Sequence, residues 1–265
     1  MQKRTSDFTL PPLDDLFSSQ AERDDAKLER VREVPLEEIH PFKEHPFKIR
    51  SGEEMDRMIE SIRKYGTLTP GLARPSPDGG YELVSGHRRL AACQALGLPT
   101  MPVIVREMTD DEAVIAMVDA NLQRETILPS EKAFAYKMKL EAMKHQGKRT
   151  DLTSDQLGPK LTAKEIGKPN NDSQTQVKRY IRLTNLAKPL LDMVDEQKIA
   201  LSPAVELSYL TKQEQAELWD IIQSECCTPS LSQAVRMKKL SQQGKLTEEV
   251  IYAVLTEEKR NQKEQ

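Results

Sequence analysis

Every strand-like stretch of this 265-residue chain lies before Thr109, and the residues beyond it repeat at helical spacing. Before that point VPLEEI reads as a strand, GLARPSPDGGYELVS as two strands around a Pro-Asp-Gly-Gly turn, and MPVIVRE as another strand. Two helices are interleaved with them. EEMDRMIESIRKYG carries Met55, Met58, Ile59 and Ile62 on one face and stops at Gly66, and RRLAACQALG is closed by Gly97. Beyond Thr109, DDEAVIAMVDANLQRE and LPSEKAFAYKMKLEAMKHQG, the latter running from a Pro-Ser cap to Gly147, open a series of helices. A switch of period this sharp excludes a single sheet and a single bundle. It implies an α+β N-terminal domain followed by an all-α half.

Polar composition sets the boundaries. Residues 1–32 read as a flexible tail with one apolar island, FTLPPLDDLF; residues 33–126 as the α+β domain; 127–212 as a helical domain; and 213–265 as C-terminal helices ending in a charged tail. No apolar run approaches the about 18 residues that cross a bilayer, so a cytoplasmic protein with no membrane partner is expected. Cys93 stands alone and Cys226 adjoins Cys227, which is neither a disulfide framework nor a metal-type spacing. The net charge of -3 conceals an asymmetry: residues 131–189 hold 13 Lys/Arg against 6 Asp/Glu. A local basic region on an otherwise acidic chain is the footprint of nucleic-acid binding when a binding motif lies inside it.

Three stretches carry chemistry. In YELVSGHRRLAACQALG a strand turns at Gly86 into a helix, so free helix amides and the adjacent Arg88 and Arg89 favour an anion, best a phosphate. The competing reading pairs one arginine with a nearby carboxylate such as Glu82. In ANLQRE, Asn121, Gln123 and Arg124 either converge on a phosphate and metal or merely cap helices. In LTAKEIGKPNNDSQTQVKRYIRLTNL a short helix and a polar turn precede a helix starting near Ser173. On that helix Val177, Tyr180, Ile181 and Thr184 share one face, while Gln174, Thr175, Lys178, Arg179 and Arg182 lie opposite. This is the layout of a helix-turn-helix presenting side chains to a major groove.

The order SGHRRLAA, then ANLQRETILPSEKAFAY, then the helix-turn-helix resembles the ParB family of DNA-partition proteins, from about Val34 to about Leu210. The resemblance implies a ParB/sulfiredoxin-like N-terminal domain followed by an all-α helix-turn-helix domain, in a divergent member of plasmid or integrative-element type. It implies a homodimeric clamp that binds CTP with Mg2+, reads a palindromic site on double-stranded DNA, associates with the nucleoid, and meets a ParA-type ATPase through its tail. The residues it assigns to the nucleotide are Arg50, Gly86, His87, Arg88, Arg89, Asn121, Gln123 and Arg124, with Asn121 also toward the metal. The residues it assigns to DNA are Ser173, Gln174, Thr175, Lys178, Arg179 and Arg182. His87 and Ala120 stand where the family usually has glutamates, which implies nucleotide binding with weak or lost CTP hydrolysis. A nucleotide-independent transcription regulator and a ParB-fold kinase are the alternatives. Sulfiredoxin chemistry is disfavoured because SGHRR has no cysteine in its loop.

Overall fold

The computed structural model describes residues 30–124, 126–150, 163 and 165–257. The apolar island FTLPPLDDLF, Glu125, and the first residues of the expected helix-turn-helix lie outside them. The N-terminal part is a five-stranded mixed sheet: β1 (Val31–Pro35), β2 (Ile39–Pro41), β3 (Gly71–Pro75), β4 (Tyr81–Ser85) and β5 (Thr100–Val105), in the order β1-β5-β3-β4-β2. β1 pairs antiparallel to β5, β5 parallel to β3, β3 antiparallel to β4, and β4 parallel to β2. The single strand expected at VPLEEI is split. A 3-10 turn at Leu36–Glu38 ends β1 beside β5 and sends Ile39–Pro41 to the opposite edge beside β4.

Alternation along β4 explains how both faces of the sheet are covered. Leu83 and Val84 are both fully buried, but neighbouring side chains on a strand point to opposite faces. Leu83 meets Met55 and Ile62 of α1 (Glu53–Tyr65) and Leu90 and Cys93 of α2 (His87–Ala95). Val84 meets Met117 and Val118 of α3 (Asp110–Leu122) and Tyr136 of α4 (Pro129–Thr150). The sheet is thus sandwiched between two helix pairs.

Thr109 is the structural hinge of the sequence as well as its statistical one. Its side chain accepts from the Glu112 amide at 3.3 Å while the Glu112 carboxylate accepts from the Thr109 amide at 2.9 Å, a reciprocal cap that starts α3. α4 differs from its expected limits at both ends. Pro129 and Ser130 are its first residues rather than its cap, and it continues through Gly147 to Thr150.

Residues 165–167 are helical and lead through a 3-10 turn at Lys168–Asn170 into α5 (Gln174–Leu183). Next come α6 (Lys188–Asp195), α7 (Leu201–Leu207), α8 (Lys212–Glu225), α9 (Leu231–Gln242) and α10 (Glu248–Thr256). Leu218, Ile221 and Ile222 of α8 and Ile251, Val254 and Leu255 of α10 are buried together in one core with Leu183, Leu190 and Met237. Those apolar faces therefore serve their own chain's interior.

Candidate functional site

A cleft of about 540 Å3 opens between the sheet domain and the start of α4. Lys48, Arg50 and Ser51 reach it from the segment after β2, residues 52–55 from the N-cap and first turn of α1, Arg88 from α2, Gln123, Arg124 and Thr126 from the α3-α4 connection, and Glu131 from α4. The N-cap of α1 is Gly52, which has no side chain to satisfy the helix amides. Four cations therefore share the cleft with the carboxylates of Glu53, Glu54 and Glu131. Three of the cations are already paired, Lys48 with Asp195 at 3.8 Å. Arg88 lies 3.1 Å from Glu54, and Arg50 lies 3.5 Å from Glu131.

Arg124 is placed differently. Its guanidinium sits over the Phe47 ring at 5.5 Å, and burial, followed by repulsion from Arg88, holds its pKa below the ordinary arginine value. A half-buried cation pressed by other cations gains from any anion that enters. Three guanidinium groups and a helix N-terminus around one cleft can grip a polyphosphate, each arginine supplying parallel N–H donors.

The GHRR stretch divides among three directions. Successive residues on a helix point about 100° apart, so only one of three neighbours can face a given cleft. Arg88 does. Arg89 instead donates to the carbonyls of Thr69 and Pro70, the latter at 2.7 Å, tying down the chain that enters β3. His87 is buried, with Nε2 accepting from the Phe42 amide at 3.3 Å and its ring 4.0 Å from that of His45. Burial, with the positive field of His45 and Arg124, lowers its pKa to about 3, so the ring is neutral. Gly86, at φ 110°, holds a backbone conformation that residues with side chains rarely adopt, and a Cβ there would sit tightly, 3.2 Å from the Cα of Gly71. The carboxylate beside Arg88 is Glu54, not Glu82, which pairs with Arg74 at 2.6 Å.

Asn121, expected near a metal, is buried and donates to the Met117 carbonyl at 2.8 Å, and it does not line the cleft. Cys93 is fully buried, 3.5 Å from the Thr67 hydroxyl. Among the described residues no cluster of three or more His, Cys, Asp or Glu is placed to hold a metal. Lys48, Glu53, Glu54, Thr126 and Glu131 are among the cleft residues that sequence patterns did not single out. Glu131 had a signal, as a glutamate two residues after Pro129 at a helix start.

The second site is the turn into α5. Asn171 is left-handed at φ 54°, Asp172 donates its amide to the Gly167 carbonyl at 3.0 Å, and Ser173 caps α5 by accepting from the Gln176 amide at 3.2 Å. A Cβ on Gly167 would fall 2.2 Å from the Asp172 carbonyl oxygen, so this close a turn needs glycine. Val177 and Leu183 are fully buried, with Tyr180 and Ile181 half-buried beside them. Ser173, Thr175 and Lys178 are exposed. Arg179 donates to the Ser202 hydroxyl at 2.6 Å. Arg182 donates to Ser208, at 3.2 Å to its hydroxyl and 3.0 Å to its carbonyl, and stacks on Tyr209 at 3.9 Å.

The mixed sheet and the helices packed on it, through the end of α3, are matched by the family model for the ParB N-terminal domain over residues 20–122. The chain belongs to the ParB family. It is 33% identical over 190 residues to the Deinococcus radiodurans protein named "Probable chromosome 1-partitioning protein ParB", a match covering 72% of this chain and 59% of that one. To the chromosome-partitioning protein Spo0J of Thermus thermophilus it is 32% identical over 191 residues, 72% of this chain and 64% of that one. The match thus spans about three-fifths of each of these ParB relatives. A C-terminally truncated ParB from Caulobacter crescentus, solved with CTP-γ-S, is 27% identical and covers 73% of this chain and 99% of its own at a TM-score of 0.34, too low for positions to be carried between them.

Proposed function

We propose that this chain is a DNA-binding partition protein in which the cleft takes a nucleoside triphosphate, CTP, as the ligand that closes a two-copy clamp on DNA. The observation that carries the reading is the convergence of Arg50, Arg88 and Arg124, from three separate segments, on the open N-terminus of α1. The names of the two ParB relatives support the partition role. Gln123 and Thr126 supply neutral donors and acceptors at the same cleft. Glu53 and Glu54 are the carboxylates placed to meet a magnesium ion carried on the phosphates, since that ion commonly takes one or two carboxylates together with substrate phosphates. The resemblance to the family, rather than a base pocket in the cleft, selects cytidine.

On the DNA side, the cap Ser173 and Gln174, Thr175 and Lys178 from the leading half of α5 are proposed to enter the major groove. Arg179 and Arg182, held by Ser202 and Ser208, are proposed to meet phosphates from fixed positions. Neither His87 nor Ala120 brings a carboxylate to the cleft, and hydrolysis is proposed to be slow.

A duplex site selected from a random library, placed on circular and on linear DNA, provides the test. CTP should increase the amount of protein retained on the circle and not on the open-ended fragment. Equal retention with and without CTP would show that the clamp reading is wrong.

A further inference from the structure

The start of α4 is held by carboxylates that belong to other jobs. Its N-cap position is Leu128, which has no side-chain oxygen, so the free amides of the first turn depend on groups nearby. Glu131 Oε2 accepts from the Leu128 amide at 2.9 Å, and its Oε1 accepts from the Lys48 amide at 2.8 Å. The same carboxylate is the partner of Arg50 in the cleft, and its side chain is only 4% exposed. One residue earlier, Ser130 donates its amide and hydroxyl to Asp195, the last residue of α6, at 2.9 and 2.5 Å. Lys48 reaches both carboxylates, by its amide to Glu131 and by its Nζ, 3.8 Å away, to Asp195.

The next turn of α4 grips the other site. Lys132 lies 2.6 Å from Asp172, and the Tyr136 hydroxyl donates to Asp172 at 2.5 Å. Asn170 donates to the Tyr136 oxygen at 3.3 Å. Asp172 directly precedes Ser173, the cap of α5. From Glu131 to Tyr136 is about 7.5 Å along a helix axis. Two turns of one rigid element therefore touch the cleft's arginine, the end of α6 and the residue before the α5 cap.

We infer that Glu131 is a positioning residue: it occupies Arg50 as an internal stand-in for a ligand phosphate, and a polyphosphate that takes Arg50 away shifts the first turn of α4 and, through Lys132, Tyr136 and Asp172, the start of α5. This rests on the cleft being the triphosphate site. The Arg50 nitrogen that now lies 3.5 Å from Glu131 Oε2 is drawn toward a phosphate oxygen entering the cleft, so cleft occupancy and the present cap of α4 compete. Coupling of this kind is reciprocal: whatever fixes α5 on DNA changes the affinity of the cleft by the same factor.

Calorimetry with CTP, combined with amide hydrogen exchange of the full chain, tests this. In the wild type CTP should change exchange at Leu128 and across residues 173–177. Glu131→Gln should bind CTP about threefold more tightly, the size of one half-exposed ion pair no longer opposing the ligand, and lose the response at 173–177. Tyr136→Phe, outside the cleft, should keep wild-type CTP affinity and lose the same response. If CTP does not bind the wild type, the cleft reading fails and this inference with it. If CTP binds but residues 173–177 exchange unchanged, or if both variants respond as the wild type does, the cleft reading stands and the coupling through Glu131 is wrong.

Discussion

Mild acid should weaken this protein through one identifiable ring. His87 sits in the interior with Nε2 accepting from the Phe42 amide, beside His45 and within the field of Arg124, and its pKa is lowered to about 3. An unfolded histidine titrates near 6.5, so below that pH the unfolded chain takes up a proton that the folded chain refuses. The contribution is fully present above pH 6.5 and is lost as the pH falls from there toward 3. Between pH 7.5 and 5.5 the loss from His87 alone is about 1.4 kcal/mol. His45 adds in the same direction, because burial lowers its pKa as well. His87→Gln places an amide oxygen where Nε2 accepts and has nothing to titrate. Urea unfolding of both proteins at pH 7.5 and 5.5 isolates the effect, since every other titrating group is common to them. The wild type should lose about 1.4 kcal/mol more than the variant over that interval. Equal losses would refute the assignment of a buried, neutral His87.

Other consequences are independent of that one. Arg124→Ala should weaken CTP binding at least about tenfold by calorimetry, as expected for charge-assisted hydrogen bonds, without lowering the melting temperature, because a half-buried cation is removed. Lys178→Ala should weaken binding to a selected duplex site by about 1–3 kcal/mol in equilibrium titrations, as expected of a side chain that reaches a base edge. Gly167→Ala forces a methyl to 2.2 Å from the Asp172 carbonyl. It should cost about 1–3 kcal/mol in chemical unfolding and abolish DNA binding while leaving CTP binding in place.

The period change at Thr109 was legible because it reflects a real cap, and Val177 announced the buried face of α5 by helical spacing. Arg88 and Arg124 were legible as parts of short motifs. Their neighbours were not, for a geometric reason: adjacency in sequence puts His87, Arg88 and Arg89 on three sides of one helix, and only tertiary packing decides which side is the cleft. Glu54 escaped notice because its neutralising partner comes from a distant segment and leaves no local pattern, and the helix-start signal of Glu131 says nothing of its distant partner Arg50. The split of VPLEEI into β1 and β2 was likewise hidden, since an apolar spacing of strand type does not say which edge of the sheet each end will join.

The most direct test of the central claim is a calorimetric titration of CTP into the wild type and into Arg88→Ala. Saturable binding to the wild type at one CTP per chain, lost in the variant, is the predicted result. No binding to the wild type, or binding that Arg88→Ala leaves untouched, would contradict the placement of a triphosphate in this cleft.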